Sequence, residues 1–337
     1  MRLPRFELKR PGSLEEAAEL LREYGGAATL AAGGTDIFPR MKYRLSSPDV
    51  LVSLKGVSPA EPATGPDGHL HIDALMKLAD IVRSAGIRHH AGLPAEAAHW
   101  VGSAQIRNMA TLGGNLCLET RCTFFNQSHD YQFAEPCIKR GGDLCYFMPK
   151  GKKCWAICQA DTAPALICLE AQVVVTDGRT ERQQAVEDLF TGDPVRPIGL
   201  GPSDLVKSIV LPPSSKIRGS AFMKLCPREG LEFATVNIAV LLDMEEDFET
   251  CRRARIVVGA IAASPVRANK AEDILGGEKL SDDGIAAAAE AARDEIRPTP
   301  RTGYSRSYLR KSIETLCRDA LQRAKQRIGR GADTLRP

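Results

Sequence analysis

Ala27-Ala-Thr-Leu-Ala-Ala-Gly-Gly-Thr-Asp36 is a short apolar run that breaks on a glycine pair and leads into a helix-like stretch, Ile37 to Tyr43. The order predicts strand, glycine turn, helix. Gly33 and Gly34 carry no Cβ, so a pyrophosphate can come close to consecutive backbone amides between Ala31 and Asp36. A tight turn with no ligand is the alternative reading. Neither G-x-G-x-x-G nor G-x-x-x-x-G-K-[ST] occurs in the chain, which argues against a Rossmann site or a P-loop.

Upstream, Ser13-Leu-Glu-Glu16 is a capping box ahead of Leu14, Ala17, Ala18, Leu20 and Leu21 at helical spacing, with Gly25-Gly26 as the stop. Downstream, Val50 to Leu54 reads as a second strand that closes a first unit near Val57. His69-Leu-His-Ile-Asp73 alternates like a half-buried strand and leads to a helix around Leu75 to Arg83. The His69/His71 pair has no evident third ligand, so it reads as a solvent-facing pair.

Thr111-Leu-Gly-Gly-Asn115 is a second glycine pair, flanked by side chains that can meet phosphate, ribose or ring nitrogens. Two such loops admit either a dinucleotide held between them or two structural turns. Beyond it the chain turns cysteine-rich, and six of its ten cysteines lie between Cys117 and Cys158. The stretch reads as a long loop, which inside a compact domain needs a tie. Spacings of fourteen, seven, eight and three residues separate Cys122, Cys137, Cys145, Cys154 and Cys158. Structural zinc usually shows paired C-x-x-C knuckles, absent here, whereas an iron–sulfur cluster tolerates irregular spacing. Zinc remains the alternative metal, and unligated buried cysteines suit Cys168, Cys226, Cys251 and Cys317 better than this loop.

From Ala160 regular patterns return: a helix through Leu169, a strand at Gln172 to Thr176, and a turn at Asp177-Gly178. Pro212-Pro213 marks a boundary. After it, Gly219 to Leu225, Ala234 to Asp243 and Arg255 to Ala262 read as strands, and helices follow near Pro265 to Leu275, Asp282 to Ile296 and Ser305 to Arg327. Strands followed by helices predict an α+β fold with the last sheet covered on one face.

The 337 residues carry 45 basic and 42 acidic side chains, a net charge of +3, too balanced for a strong nucleic-acid counterion term. No apolar run nears the ~20 residues of a membrane span. The amino terminus has no continuous hydrophobic region of a secretory signal, so a cytoplasmic, membrane-free protein is expected.

Ala31-Ala-Gly-Gly-Thr-Asp36, Thr111-Leu-Gly-Gly-Asn115 and Ala160-Asp-Thr-Ala-Pro-Ala-Leu166 together resemble the FAD-binding medium subunit of the xanthine oxidase family of molybdenum hydroxylases. The resemblance continues through Phe222-Met-Lys-Leu-Cys-Pro-Arg228, Phe233-Ala-Thr-Val236, Arg255-Ile-Val-Val-Gly259 and Pro265-Val-Arg-Ala268. It implies an FAD-binding part in two subdomains, 1–57 and 58–213, a C-terminal α+β domain at 214–328, and a tail at 329–337. It also implies that Ala31, Ala32, Gly33, Gly34, Thr35 and Asp36 wrap the pyrophosphate, while Thr111, Gly113, Gly114 and Asn115 complete the cleft. Asp161 would meet the adenosine ribose or a nearby polar group, and Val101 would lie against the flavin. Lys224 would sit near the isoalloxazine, with an exposed strand lysine as the alternative.

About forty-five residues separate the second and third motifs here, where that family usually passes quickly. Arg121-Cys-Thr-Phe-Phe-Asn-Gln127, Gly141-Gly-Asp143 and the spaced cysteines of this insertion, about 117–159, resemble the β subunit of the 4-hydroxybenzoyl-CoA reductases. That resemblance implies a [4Fe-4S] cluster on Cys122, Cys137, Cys145 and Cys154, with Cys117 and Cys158 as spares. It further implies a large molybdopterin subunit, a small subunit with two [2Fe-2S] centres, a dimer of heterotrimers, and ferredoxin as donor for reduction of 4-hydroxybenzoyl-CoA to benzoyl-CoA. The aromatic substrate would then bind a partner chain. An outward-delivering hydroxylase subunit linked to NAD or a quinone, and a zinc-stabilised binding module, are the competing readings.

Overall fold

The computed structural model describes residues 2–127, 135–148, 150–214, 217–228, 231–301 and 303–329. The N-terminal part comprises β1 (Glu7–Lys9), α1 (Leu14–Tyr24), β2 (Ala28–Ala31), α2 (Ile37–Lys42) and β3 (Val50–Ser53). Its three strands are parallel in the order β1-β3-β2. β3 is central and buried at every position, which explains its unbroken apolar sequence. α1 begins where Ser13 Oγ accepts from Glu16 N at 3.2 Å and Glu16 reaches back to Gly12 N at 2.7 Å. It packs Ala17, Ala18 and Leu21 onto β2 and β3. β1 has only three residues on a sheet edge, so no periodicity announced it.

The middle part follows with β4 (Ala63–Thr64), β5 (Leu70–Asp73), α3 (Leu78–Arg83), α4 (Ala85–His90), α5 (Gly92–His99), α6 (Ala104–Arg107), α7 (Leu112–Leu116), α8 (Thr162–Cys168), β6 (Gln172–Thr176), β7 (Glu181–Ala185) and β8 (Leu205–Leu211). Its sheet is antiparallel in the order β4-β5-β8-β6-β7. β5 alternates, with Leu70 and Ile72 buried and His71 exposed. The expected helix from Leu75 starts only at Leu78. β8 escaped sequence reading although it is the sheet's centre, because Lys207 and Ser208 interrupt its apolar run.

Last come β9 (Arg218–Leu225), β10 (Val236–Met244), β11 (Cys251–Gly259), β12 (Val266–Arg267), α9 (Asn269–Leu275), α10 (Asp282–Glu295) and α11 (Arg306–Arg327). The sheet is antiparallel, β12-β11-β10-β9. The helix expected from Pro265 begins at Asn269 because Val266 and Arg267 instead pair with β11.

This sheet is covered on both faces, not on one as the order of strands and helices predicts. Ile238, Val240 and Leu242 of β10 face α9, α10 and α11 in one core. Ala239 and Leu241 of the same strand join the core of the middle part, with residues of α5 and α8. All nine residues of β10 are therefore buried, and the two parts share a core. Residues 330–337, most of the expected tail, lie outside the described residues.

Candidate functional site

β2 ends at Ala31, and the chain turns through Gly33 and Gly34 before α2. A Cβ on Gly33 would lie 2.0 Å from Met109 O, so this turn packs directly on the segment that enters the second glycine motif. Gly34 has φ +78°, a conformation that favours glycine. The amides of Gly33, Gly34 and Thr35 meet no acceptor among the described residues, which leaves donors for an anion.

The second motif works differently. Leu112 N donates to Met76 O, Gly113 N to Ala74 O, Gly114 N to Thr111 Oγ1 and Asn115 N to Thr111 O. Its amides are consumed by the fold, and Asn115 Oδ1 is tied to Thr162 Oγ1 at 2.6 Å. It is a close-packed wall rather than a second donor loop.

Ala31 through Asp36, Val101, Thr111, Gly113, Gly114, Asn115 and Asp161 all line one cavity of about 520 Å³. Lys224 is not in that wall. It lies behind Asp161, 1 % exposed, and donates to Asp161 Oδ2 at 2.8 Å and to the carbonyls of Trp100 and Glu232 at 2.9 Å. All three ammonium protons are thereby engaged. Asn237 Nδ2 donates to Asp161 Oδ1 at 2.6 Å. Burial pushes the Asp161 carboxyl above the usual carboxylate range, and the Lys224 ammonium opposes that shift.

Sequence reasoning missed Arg40, Arg121 and Gln159, which also line the cavity. Arg121 pairs with Asp36, and Arg40 lies 3.7 Å from Asp36. Arg40 Nε, Arg121 Nε and Gln159 Oε1 are buried without partners among the described residues. An apolar cavity with a free amide turn, two guanidiniums and an orphaned amide oxygen fits an elongated ligand with an anionic middle and a polar ring. Only a three-dimensional arrangement could reveal Arg121, which comes from the neck of the cysteine insertion.

That neck is pinned by a two-hydrogen-bond bridge between Arg121 and Ile157, 2.8 Å each way. Beyond it, Cys122, Cys137, Cys145 and Cys154 line one small cavity with Phe124, Phe125, Phe147 and Trp155. Cys158 packs instead into the main core, and Cys117 lines the larger cavity; neither spare belongs to the thiol cavity. Ala156 N donates to Cys154 Sγ at 3.4 Å. Burial raises the Cys122 and Cys154 thiols. The indole Nε1 of Trp155 is buried without a partner among the described residues. Among the described residues no three His, Cys, Asp or Glu side chains converge on a point suited to one metal ion; these four thiols surround a space. Soft thiol donors, an aromatic lining and amide donation to sulfur fit an iron–sulfur cluster.

The free amide turn, the two guanidiniums and the larger cavity define a candidate site for an elongated anionic ligand, in a chain with an appended α+β lobe. A family model described as the FAD binding domain in molybdopterin dehydrogenase matches residues 4–214, and one described as the CO dehydrogenase flavoprotein C-terminal domain matches 210–324. The chain belongs to this family of FAD-binding medium subunits. Subunit alpha of the 6-hydroxypseudooxynicotine dehydrogenase complex of Paenarthrobacter nicotinovorans is 28% identical over 97% of both chains. The nicotinate dehydrogenase FAD-subunit of Eubacterium barkeri is 26% identical over 92% of each. A structure of carbon monoxide dehydrogenase from Hydrogenophaga pseudoflava superposes with a TM-score of 0.78 at 25% identity, covering 97% of this chain and 100% of that one. No described helix is long and apolar enough to cross a membrane.

Proposed function

We propose that this medium subunit carries FAD in the larger cavity and a [4Fe-4S] cluster in the thiol cavity, as part of a cytoplasmic complex of the 4-hydroxybenzoyl-CoA reductase type. The observation that carries the reading is that the four cysteines expected as ligands line one cavity while the two spares do not. A cluster there would handle electrons singly, and FAD would exchange them singly or in pairs. The residues do the holding: the amides of Gly33 to Thr35 and the guanidiniums of Arg40 and Arg121 take the pyrophosphate, Gln159 meets a polar ring edge, and the Asp161–Lys224 pair keeps a carboxylate oriented at the wall. A large molybdopterin subunit, a small [2Fe-2S] subunit and a ferredoxin donor complete the proposed assembly, a dimer of heterotrimers that reduces 4-hydroxybenzoyl-CoA on a partner chain.

The test is anaerobic purification with the natural partners, then iron, acid-labile sulfide, zinc and flavin analysis of this subunit. About four irons and four sulfides with one FAD support the proposal, and Cys137→Ser then loses the iron while keeping most of the FAD. FAD without iron leaves a medium subunit of the outward-delivering kind, and zinc in place of iron rejects the cluster.

A further inference from the structure

Eleven of the described residues line the thiol cavity, and among them Lys139 alone carries a formal charge. Its side chain is 3 % exposed. The ammonium donates to Glu119 Oε1 at 2.7 Å, to Thr120 Oγ1 at 2.7 Å and to Pro194 O. It also stands 5.1 Å from the centre of the Phe125 ring. A buried lysine is costly, and three acceptors hold this one in place. Lys153 lies over the Trp155 ring at 4.8 Å but is exposed, so solvent screens it.

Glu119 has a second partner. Its Oε2 lies 3.4 Å from the Arg40 guanidinium, and Arg40 lines the larger cavity. One carboxylate therefore spans the two cavities, with a cation of each on its two oxygens.

We propose that Lys139, held by Glu119, is the positioning residue that sets the reduction potential of the cluster on Cys122, Cys137, Cys145 and Cys154. The inference rests on the cluster reading above. Four thiolates around an [Fe4S4]²⁺ core carry a net charge of 2−, and one electron added to the core makes it 3−, with no bond broken. A fixed cation in a dry wall stabilises the 3− form more than the 2− form, so Lys139 raises the potential. Glu119 acts in the opposite sense through its own charge while keeping the ammonium oriented.

The experiment is an EPR-monitored redox titration of the whole complex with dithionite as reductant, comparing wild type with K139M, K139R and E119Q. Expected are a lower cluster midpoint in K139M, a higher one in E119Q, and a near-wild-type value in K139R, with iron and sulfide content unchanged. A merely structural role would not produce shifts of opposite sign. Unmoved midpoints, or shifts of the same sign in K139M and E119Q, overturn the proposal while leaving the cluster reading intact. If K139M retains no iron, E119Q decides alone: a rise supports the assignment and no rise overturns it. Wild-type subunit without iron and sulfide overturns both readings.

Discussion

Gly33 and Gly34 look alike in the sequence, yet they are required for different reasons. At Gly33 the constraint is contact: a Cβ would come within 2.0 Å of Met109 O and 2.9 Å of Ala110 Cα. Backbone atoms cannot swing aside as a flexible side chain can. Gly33→Ala should therefore cost about 1–3 kcal/mol through overpacking and push the first turn off the second motif. Thermal unfolding and bound flavin after gel filtration report it, with both falling. Gly26, where an added Cβ would meet nothing within 4 Å and φ is not positive, is the control; Gly26→Ala should leave both readings close to wild type. The sequence shows two glycine pairs, and their residue types alone give no means to tell the donor loop from the wall. That distinction lies in which carbonyls face each amide, and Met76 and Ala74 come from elsewhere in the chain.

One turn spoke directly from the sequence, although the strand that follows it, β7, went unread. Asp177-Gly178 reads as a turn, and it joins β6 to β7 with Gly178 at φ +82°. Asp177 Oδ1 accepts from Arg179 N at 2.9 Å and from Thr180 N at 2.7 Å. The bond from Thr180 N, then that from Arg179 N, depresses the carboxyl to about 2 from an ordinary 3.8. Bonds from Thr250 and Glu249 do the same to Asp247 in the β10–β11 turn, also to about 2. A depressed acid stabilises the fold above its unfolded value and loses that contribution as pH falls through the folded one. The stability advantage of wild type over Asp177→Asn should thus be complete above about pH 4 and shrink toward pH 2. Urea unfolding of both proteins at about pH 6 and near pH 2.5 measures it; a gap that stays constant counts against the assignment. Elements without local chemistry fared worse. β1 and β12, three and two residues long, exist because a longer strand beside them supplies the pairing.

Across the whole molecule, Glu96 shows what holds the C-terminal lobe to the rest. This α5 carboxylate accepts from Arg327 at the end of α11, 3.0 Å from Nη1 and 3.2 Å from Nη2, and from Phe222 N of β9 at 3.0 Å. Glu96 is 9 % exposed and Arg327 13 %. Removing the acid leaves the Phe222 amide without its acceptor and the partly buried Arg327 with the Ser220 carbonyl alone, so Glu96→Ala should cost about 1–3 kcal/mol. Chemical denaturation should show the loss, and Glu96→Gln, which keeps an acceptor, should lose less. Nothing in the sequence pairs residue 96 with residue 327.

Local order was legible in several places where the cause was local, although the short helices capped by Ser84, Ser103 and Thr111 went unread. Caps such as Ser13, strand alternation in β5, glycine turns and the concentration of cysteines all act through neighbours a few residues apart, and the motifs spread along the chain brought the family within reach. What only the folded molecule decided involves groups distant in sequence. Burial on both faces made β10 a shared wall rather than a half-covered strand. Folding buried Lys224 behind Asp161 as its ion-pair partner instead of leaving it an exposed strand lysine. Chain closure at the Arg121–Ile157 neck gathered Cys122, Cys137, Cys145 and Cys154 around one space and sent Cys117 and Cys158 elsewhere. Spacing along a chain sets which residues are available, whereas burial and charge pairing depend on what the rest of the chain brings to the same place.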